Sequence, residues 1–506
     1  MMSNNIPSKY MEKGLIKALE KVVDRDPDQI ALVDVAEELN YGQFWVRVTQ
    51  IAKVLQKLDI TAGDRVIFWL PNSVNLVSLH FAILRLSAIS VPLDPASPSR
   101  SILKVAAISK PALLVFHGLE PTGSDWDSYN RVSLSHIVET AVTVGDEPLP
   151  VLDVDASSCL SSIMFTSGST GVPKGVKLTH RNNLAAARNI IDFCQYTKDD
   201  FEVITLPLSH SFGLGQVYSM LLVGGGAFVI PGMLKMKAVV NALEKYSATG
   251  FPTTPAGVDL ILNRYFEAFQ SKGRSLKNMV VNSAPLLPSQ TEKLQQLFPA
   301  LNIYVYYGLT EASRSCFCNL TTVGSLFYNS VGPPMQGVTI VLEEQNSEIS
   351  ISGETVSQGY WPEDDHRLGE SGYPQISTGD TGYFDEFGRL YISGRIKDQI
   401  NVGGYKVSPL EVEAVLKERL PLSQVAVFGY KASDGNELVV CFIEQTANSE
   451  VSHDRVRQVA MDDLDFYKVP SVYVDVEVIP TIVNGKIDRT ILPVLYRAFL
   501  ESNTEG

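Results

Sequence analysis

A short stretch of small, hydroxyl-bearing and basic residues most constrains what this chain can fold into. Residues 166–175 read Thr-Ser-Gly-Ser-Thr-Gly-Val-Pro-Lys-Gly; the apolar run before them predicts a buried strand, and a helix is predicted from about residue 182. Glycine lets backbone N–H groups approach an anion closely, hydroxyls add donors, and Lys174 adds positive charge. The pattern predicts a phosphate-binding loop, although a flexible Gly/Ser linker has a similar composition.

The loop differs from the phosphate-binding loop of the Walker type. That pattern requires glycine, lysine and then serine or threonine, whereas here Pro173 precedes Lys174 and Gly175 follows it. The sequence therefore disfavours a P-loop NTPase and indicates another class of nucleotide-binding protein.

Composition narrows the partners. The 506 residues predict roughly two to four structural units. The net charge of −14 argues against a nucleic-acid backbone as the main partner, whereas a local loop can still bind ATP. The five cysteines lack zinc-site spacing and predict reduced, mostly buried thiols, so we expect a cytoplasmic protein.

No targeting or membrane segment is expected. The first residues lack a long apolar core, so the sequence predicts no signal peptide. The most apolar stretch, residues 76–91, is interrupted by His80 and Arg85 and predicts a buried helix and strand instead of a membrane insertion.

Strand and helix patterns alternate through the first 305 residues and predict α/β layers with parallel sheets. Residues 118–158 look polar and irregular. Residues 338–361 and 383–394 alternate apolar and polar positions, which predicts antiparallel hairpins with a turn at residues 385–388. A small α+β unit is predicted over residues 407–498.

Further motifs follow the first loop in a fixed order. They are Tyr-Tyr-Gly-Leu-Thr-Glu at 306–311, Ser-Thr-Gly-Asp at 377–380, Gly-Arg-Ile-Lys-Asp-Gln-Ile at 394–400 and Asn-Gly-Lys-Ile-Asp-Arg at 484–489. Together the motifs resemble the adenylate-forming superfamily of acyl-CoA synthetases, peptide-synthetase adenylation domains and luciferases, over nearly the full chain. The chain looks most like a stand-alone aryl-acid adenylation enzyme.

The resemblance implies a fold and a division of the chain. It implies a large N-terminal domain of mixed parallel sheets layered with helices, with a β-barrel-like subdomain, over residues 1–394. A hinge at residues 395–400, with Lys397 as the hinge residue, would join it to a small mobile α+β lid over residues 401–506. Gly403 and Gly404 would leave room for a pantetheine thiol, although an ordinary turn explains them equally well.

The resemblance also implies ATP and Mg²⁺ as cofactors, with Glu311 holding the metal and Lys486 and Thr310 acting with it in catalysis. Tyr307 would stack on adenine, and Asp380, assisted by Arg395, would bind the ribose. The implied ATP-binding residues are Thr166, Ser167, Gly168, Ser169, Thr170, Gly171, Lys174, Ser283, Ala284, Pro285, Tyr306, Tyr307, Gly308, Thr310, Asp380, Ile392, Arg395 and Lys486.

The same resemblance implies an acyl-binding region. Its residues are His210, Ser211, Phe212, Gly215, Phe251, Ala284, Gly308, Leu309 and Ser315. Neutral Ser211 stands where relatives that activate α-amino acids carry aspartate, and an unpaired buried ammonium would be costly, which disfavours an amino acid. Arg314 either faces an anionic or phenolic group or pairs at the surface.

The predicted reaction is ATP-dependent adenylation of a small carboxylic acid, of the substituted benzoate or anthranilate type. The acyl group would pass to the phosphopantetheine thiol of a separate carrier protein. The first alternative is an acyl-CoA or aryl-CoA synthetase that uses free CoA, since both acceptors present the same thiol arm. The second is a non-catalytic acyl or nucleotide binder, which would not need the catalytic lysine.

Overall fold

The computed structural model describes residues 13–145, 147–166, 173–363, 367–369, 372–402, 405–431, 437–446, 451–481 and 486–504. Strands and helices alternate up to about residue 305, and short antiparallel strands follow. The predicted α/β layering is therefore confirmed.

The strands of the alternating part are β1 (Ile30–Val33), β2 (Glu38–Asn40), β3 (Arg65–Trp69), β4 (Ile89–Leu93), β5 (Leu113–Phe116), β6 (Arg131–Ser133), β7 (Leu160–Thr166), β8 (Lys174–Thr179), β9 (Phe201–Ile204), β10 (Gly226–Val229), β11 (Asn278–Val281), β12 (Asn302–Tyr307) and β13 (Cys316–Asn319). The later strands are β14 (Ser330–Gly332), β15 (Val338–Leu342), β16 (Glu348–Gly353), β17 (Tyr360–Trp361), β18 (Arg367–Leu368), β19 (Pro374–Phe384), β20 (Leu390–Arg395), β21 (Ile400–Val402), β22 (Tyr405–Val407), β23 (Gln424–Lys431), β24 (Glu437–Glu444) and β25 (Val472–Val476).

The α-helices are α1 (Gly14–Arg25), α2 (Tyr41–Lys57), α3 (Val74–Arg85), α4 (Ser99–Ser109), α5 (Leu134–Ala141), α6 (His180–Cys194), α7 (Ser211–Val223), α8 (Met236–Lys245), α9 (Pro255–Leu260), α10 (Phe266–Lys272), α11 (Pro288–Leu297), α12 (Leu320–Val323), α13 (Pro409–Arg419), α14 (His453–Asp463) and α15 (Leu492–Thr504).

The first sheet has seven strands in the order β17-β8-β7-β4-β3-β5-β6. Strands β3 to β7 pair in parallel, whereas β8 and β17 add antiparallel pairs at one edge. The burial of every residue of β4 and β5 is typical of parallel strands covered on both faces.

The second sheet combines the runs β2-β1-β10-β9 and β11-β12-β13, which parallel bridges through Gly250 join. Helices α3 and α7 lie between the first two sheets, since their side chains share one core cluster with Val66 and Val115 of the first sheet and Ile204 of the second. Nearly every residue of both helices is buried, as expected for helices that are apolar all round. The apolar stretch at residues 76–91 thus forms a buried helix and strand, as predicted.

The third sheet is antiparallel, in the order β14-β20-β19-β16-β15 with β18 beside β19. The predicted turn at residues 385–388 joins β19 to β20, where Asp385 accepts hydrogen bonds from the backbone N–H groups of Phe387 and Arg389. This curved sheet is the predicted barrel-like subdomain.

The C-terminal part pairs β23, β24 and β25 and places the hairpin β21–β22 beside them. Its two hydrophobic clusters contain only residues from 400 onward, so this part has a core of its own. The predicted small α+β unit is confirmed.

Two predictions about local structure need correction. Residues 118–158 contain the strand β6 and the helix α5, although their polar composition suggested irregular structure. The helix is amphipathic and buries only Leu134, Ile137 and Ala141, so its apolar pattern is sparse. The sequence analysis also placed no strand between the predicted phosphate loop and the following helix, where β8 lies.

Asn72 fixes the loop that leads from β9 to α7. Its amide Nδ2 donates to the carbonyl oxygens of Leu206 (2.8 Å) and Ile230 (3.1 Å), and its Oδ1 accepts from the backbone N–H of Leu208 (3.1 Å). The side chain is nearly buried. One amide therefore holds the segment that ends in His210.

We expect Asn72→Ala to destabilise this part of the fold by about 3 kcal/mol, because three buried hydrogen bonds are lost at about 1 kcal/mol each. The melting temperature measures the effect. Asn130→Ala is the control, since the exposed Asn130 amide makes one long bond of 3.4 Å. Equal melting temperatures of both variants would contradict the role of Asn72.

Candidate active site

A β-hairpin holds the described ends of the predicted phosphate loop. Thr166 ends β7 and Lys174 begins β8, and the two residues face each other across the antiparallel ladder. Lys174 is exposed at this end of the sheet. The predicted loop residues Ser167, Gly168, Ser169, Thr170 and Gly171 lie outside the described residues.

Tyr360 connects this hairpin to the predicted metal-binding carboxylate. It lies on β17, which pairs with β8, and its hydroxyl donates to Glu311 Oε1 at 2.9 Å. The ammonium of Lys174 lies 5.0 Å from the centre of the Tyr360 ring. Tyr360 is not predicted from the sequence, because only strand pairing with Val176, almost 200 residues away in the chain, brings it here.

The tight turn at residues 308–314 presents Thr310 and Glu311. The backbone N–H of Leu309 donates to the carbonyl of Ala312, and the backbone N–H of Ala312 donates to the carbonyl of Leu309. A Cβ on Gly308 would lie 2.6 Å from the backbone nitrogen of Arg314, so only glycine fits there. Thr310 and Glu311 are half-buried at the tip of this turn.

Asp380 receives hydrogen bonds on both carboxylate oxygens. The hydroxyl of Tyr307 donates to Oδ2 at 2.7 Å, and Nε of Arg395 donates to Oδ1 at 2.8 Å. The second bond follows from register, since Asp380 and Arg395 face each other on β19 and β20. Burial and the adjacent carboxylate both raise the pKa of Tyr307, which keeps its hydroxyl protonated as a donor.

Lys486 of the C-terminal part lies within electrostatic range of Arg395, Asp380 and His210, and we call the region between these four residues the crevice. Burial of its ammonium among surrounding protein lowers its pKa, and the positive charge of Arg395 lowers it further, while Asp380 raises it. His210 also has a lowered pKa, caused first by burial, with an opposing effect of Asp94 and a further lowering by Lys486. Both side chains retain exposed surface, as expected for groups that line an open crevice.

The start of α7 carries four of the predicted acyl-binding residues. His210 precedes the first helical residue, Ser211, and provides no side-chain cap for the helix. The ring of Phe212 packs edge-on against Tyr306, with 5.3 Å between centroids. A Cβ on Gly215 would lie 2.4 Å from Nη2 of Arg314, so the absence of a side chain there leaves room for the guanidinium.

Arg314 lies in the interior of the protein. The prediction that it could pair with another charge at the surface is therefore wrong. It is 1% exposed and is the largest fully buried side chain among the described residues. Its Nη1 donates to the carbonyl of Ser211 (2.7 Å) and to the Ser313 hydroxyl, and Nη2 donates to the carbonyl of Phe212 (2.9 Å).

The remaining predicted residues occupy several environments. Ser283 follows β11 with a positive φ of 86°, which is rare outside glycine, and Ala284 and Pro285 beside it are exposed. Phe251 is fully buried and packs edge-on against Phe269 in a core cluster that does not contain Phe212. Ile392 is half-buried on β20, and Ser315 is buried directly after the turn at residues 308–314. Lys397 is exposed in the short 3₁₀ turn Ile396–Asp398.

No helix within the described ranges is both long and apolar enough to cross a membrane. Within the same ranges, histidine, cysteine and acidic side chains form no cluster of three or more that could hold a metal ion.

Comparison with known proteins assigns a family. The family of AMP-binding enzymes matches residues 19–361 of the chain. Among curated proteins, an oxalate–CoA ligase of Arabidopsis thaliana is 29% identical over 499 residues, covering 94% of this chain and 97% of that protein. A 4-coumarate–CoA ligase of Narcissus pseudonarcissus is 26% identical over 498 residues, covering 91% and 90%.

Solved structures share the fold. The ATP-bound structure of MatB from Rhodopseudomonas palustris superposes with a TM-score of 0.85 and 22% sequence identity, covering 96% of this chain and 99% of that one. The similarity over nearly the whole length confirms the expected architecture of a large N-terminal part and a smaller C-terminal part.

We expect Tyr307→Phe to raise the KM for ATP about 10-fold with a smaller change in kcat. The variant keeps the aromatic ring but loses the hydrogen bond that orients the Asp380 carboxylate, the group expected to bind the ribose of ATP. Steady-state kinetics with varied ATP measures this. Tyr383→Phe, which removes the hydroxyl of a half-exposed tyrosine on the same strand as Asp380, is the control. An unchanged KM in Tyr307→Phe would show that its hydroxyl does not hold Asp380.

For Tyr360→Phe we expect about a 5-fold increase in the Mg²⁺ concentration for half-maximal activity, because Glu311 loses a donor that orients it. Activity titrated with Mg²⁺ at saturating ATP measures the shift. The matched variant is Tyr373→Phe, whose ring lies 5.3 Å from Arg181 instead. Identical Mg²⁺ dependence of both variants would count against this role of Tyr360.

Proposed function

Because the chain belongs to the family of AMP-binding enzymes and is an AMP-forming acid–thiol ligase, we propose that it joins a small carboxylic acid to coenzyme A. In the first step a carboxylate oxygen attacks the α-phosphorus of ATP and pyrophosphate leaves. In the second step the thiolate attacks the acyl carbonyl and AMP leaves.

The observation that carries this proposal is the convergence of Lys486, Arg395 and Asp380 in one crevice with His210. Adenylation brings a carboxylate against a polyanion, so catalysis requires positive charge at the point of attack. An ammonium of lowered pKa at this position can contact the substrate carboxylate and the α-phosphate together. We assign this catalytic role to Lys486.

The other proposed roles follow the same chemistry. Thr166, Lys174 and the loop between them would bind the β- and γ-phosphates, and Thr310 would donate to the α-phosphate. Asp380 would accept hydrogen bonds from the ribose hydroxyls, and Tyr307 would face the adenine. Mg²⁺ bound by Glu311 would neutralise charge on the phosphates.

The division of the chain supports a two-state cycle. Arg395 ends β20 and the separate C-terminal core begins at Ile400, so few residues connect the two parts. We propose residues 395–400 as the hinge, with exposed Lys397 at its centre, between the parts 1–394 and 401–506. Rotation at this hinge would move Lys486 out of the crevice and bring Gly403 and Gly404 into it. Both glycines lie outside the described residues.

Coenzyme A is proposed as the acceptor because the named relatives over nearly the full chain are CoA ligases. A carrier protein is the second candidate, since its phosphopantetheine ends in the same thiol. Neutral Ser211 and the rings of Phe212 and Tyr306 suit an acid without an ammonium group. The substituted benzoate expected from the sequence is one such acid, and a short dicarboxylic acid is another.

The test combines the purified chain with ATP, Mg²⁺, CoA and a panel of aliphatic acids, diacids, benzoates and amino acids. Mass spectrometry of the products should show an acyl-CoA together with AMP and pyrophosphate. Formation of acyl adenylate without acyl-CoA, followed by transfer to a phosphopantetheinylated carrier protein, would favour the second candidate. Formation of ADP instead of AMP would overturn the proposal.

For Lys486→Ala we expect adenylation to fall at least about 100-fold, because charge stabilisation in the transition state is lost. Transfer of the acyl group from preformed acyl adenylate to CoA should change less than about 5-fold. Separate assays of the two half-reactions measure the difference, with Lys431→Ala as a surface control in the same part of the chain. Equal losses in both half-reactions would refute the assignment.

A further inference from the structure

Arg314 is a buried cation without an anionic partner. No carboxylate among the described residues lies within 4.0 Å of its nitrogens, and its hydrogen bonds go to two backbone carbonyls and one hydroxyl. Its Nε is buried and has no hydrogen-bond partner in the part of the chain that the structure describes. Leaving a guanidinium in the interior in this state is costly, so the arrangement calls for an anion.

The position of the Arg314 guanidinium raises the free-energy cost of burying its charge. It lies against the first turn of α7, and the N-terminal end of a helix carries partial positive charge. His210 provides no side-chain cap for this helix. A buried cation and the positive end of a 13-residue helix thus occur together, and both favour a negative ligand.

Glu202, the acidic residue that acts electrostatically on Arg314, does not supply the missing charge. Glu202 influences Arg314 electrostatically, but burial raises the pKa of Glu202 to about 8, so this carboxyl is largely protonated at neutral pH. The hydroxyl of Tyr196 already hydrogen-bonds its Oε1. The ring faces of Tyr306 and Phe212 lie 5.2 and 6.0 Å from Cζ of Arg314, and these cation–π contacts offset part of the cost of burial without supplying a negative charge.

We infer that Arg314 binds a second anionic group of the acid substrate, so that the substrate class is short dicarboxylic acids. This inference rests on the proposed function. Under the proposed function the reacting carboxylate would lie near His210 and Lys486. The Arg314 guanidinium contacts the two residues that follow His210, within one helical turn or about 5 Å along the helix. A diacid of roughly two to four carbons spans this distance, at about 1.5 Å per bond.

A purely structural role is the competing explanation. In that case Arg314 only fills the space above Gly215 and ties the carbonyls of Ser211 and Phe212 to the turn at residues 308–314. Its replacement would then lower stability without changing the preference among acids. Substrate preference therefore separates the two explanations.

The experiment measures ATP–pyrophosphate exchange with pairs of acids matched in length: malonate against propanoate and succinate against butyrate, with oxalate, benzoate and anthranilate added. We expect kcat/KM for the preferred diacid to exceed that of its matched monoacid by about 100-fold, as expected for a charge-assisted bidentate pair. A preference for monoacids or benzoates would overturn the inference and leave the proposed function standing. Exchange with no acid would overturn both.

Variants of Arg314 add a second readout. Arg314→Gln should lower the ratio of diacid to monoacid activity by about 100-fold, and Arg314→Lys should restore part of it, because the charge returns without the fork geometry. The control is Arg85→Gln, another nearly buried arginine with unpaired nitrogens, which packs on Trp45. It should lower the melting temperature without changing the ratio.

If Arg314→Gln does not fold, the wild-type protein still decides the question. We expect malonate or succinate to protect it against thermal unfolding more than the matched monoacid does, measured without ATP. Equal protection by both acids would overturn the assignment.

Discussion

A nearly buried carboxylate needs hydrogen-bond donors on both oxygens, and Asp380 takes its donors from two different parts of the fold. Tyr307 comes from the end of a strand in the second sheet, and Arg395 faces Asp380 across the antiparallel third sheet. One carboxylate therefore fixes the distance between the two sheets at the crevice. Because Arg395 is also the last residue of β20, the Asp380–Arg395 pair lies at the point where the chain passes into its C-terminal part.

Local charge, not net charge, determines what this crevice can bind. The chain carries a net charge of −14, yet Lys486 and Arg395 act electrostatically on one another beside Asp380, and Lys174 lies over the ring of Tyr360, whose hydroxyl contacts Glu311. The hydroxyls of Tyr307 and Tyr360 donate hydrogen bonds to Asp380 and Glu311 and so hold the two carboxylates in place. Such an arrangement accommodates a nucleotide polyanion together with an acid.

The sequence predicted several residues that the structure brings together, but not the contacts that position them. Ordered motifs named Asp380, Arg395 and Lys486, and the alternation of strands and helices predicted the layered sheets, because both signals are local. Tyr360, the burial of Arg314 and the strand after the phosphate loop were not predicted. Each depends on residues that lie far apart in the chain, such as the contact of Arg314 with the carbonyl of Ser211, 103 positions away. Local patterns do not carry that information.

The central claim is that an acid oxygen attacks the α-phosphorus of ATP in this crevice. Supplying the acid with its carboxylate labelled by ¹⁸O tests the claim most directly. The account predicts that one labelled oxygen from each turnover appears in AMP and none in pyrophosphate. Unlabelled AMP, or label in pyrophosphate or inorganic phosphate, would contradict an acyl adenylate and with it the assigned roles of Lys486 and Asp380.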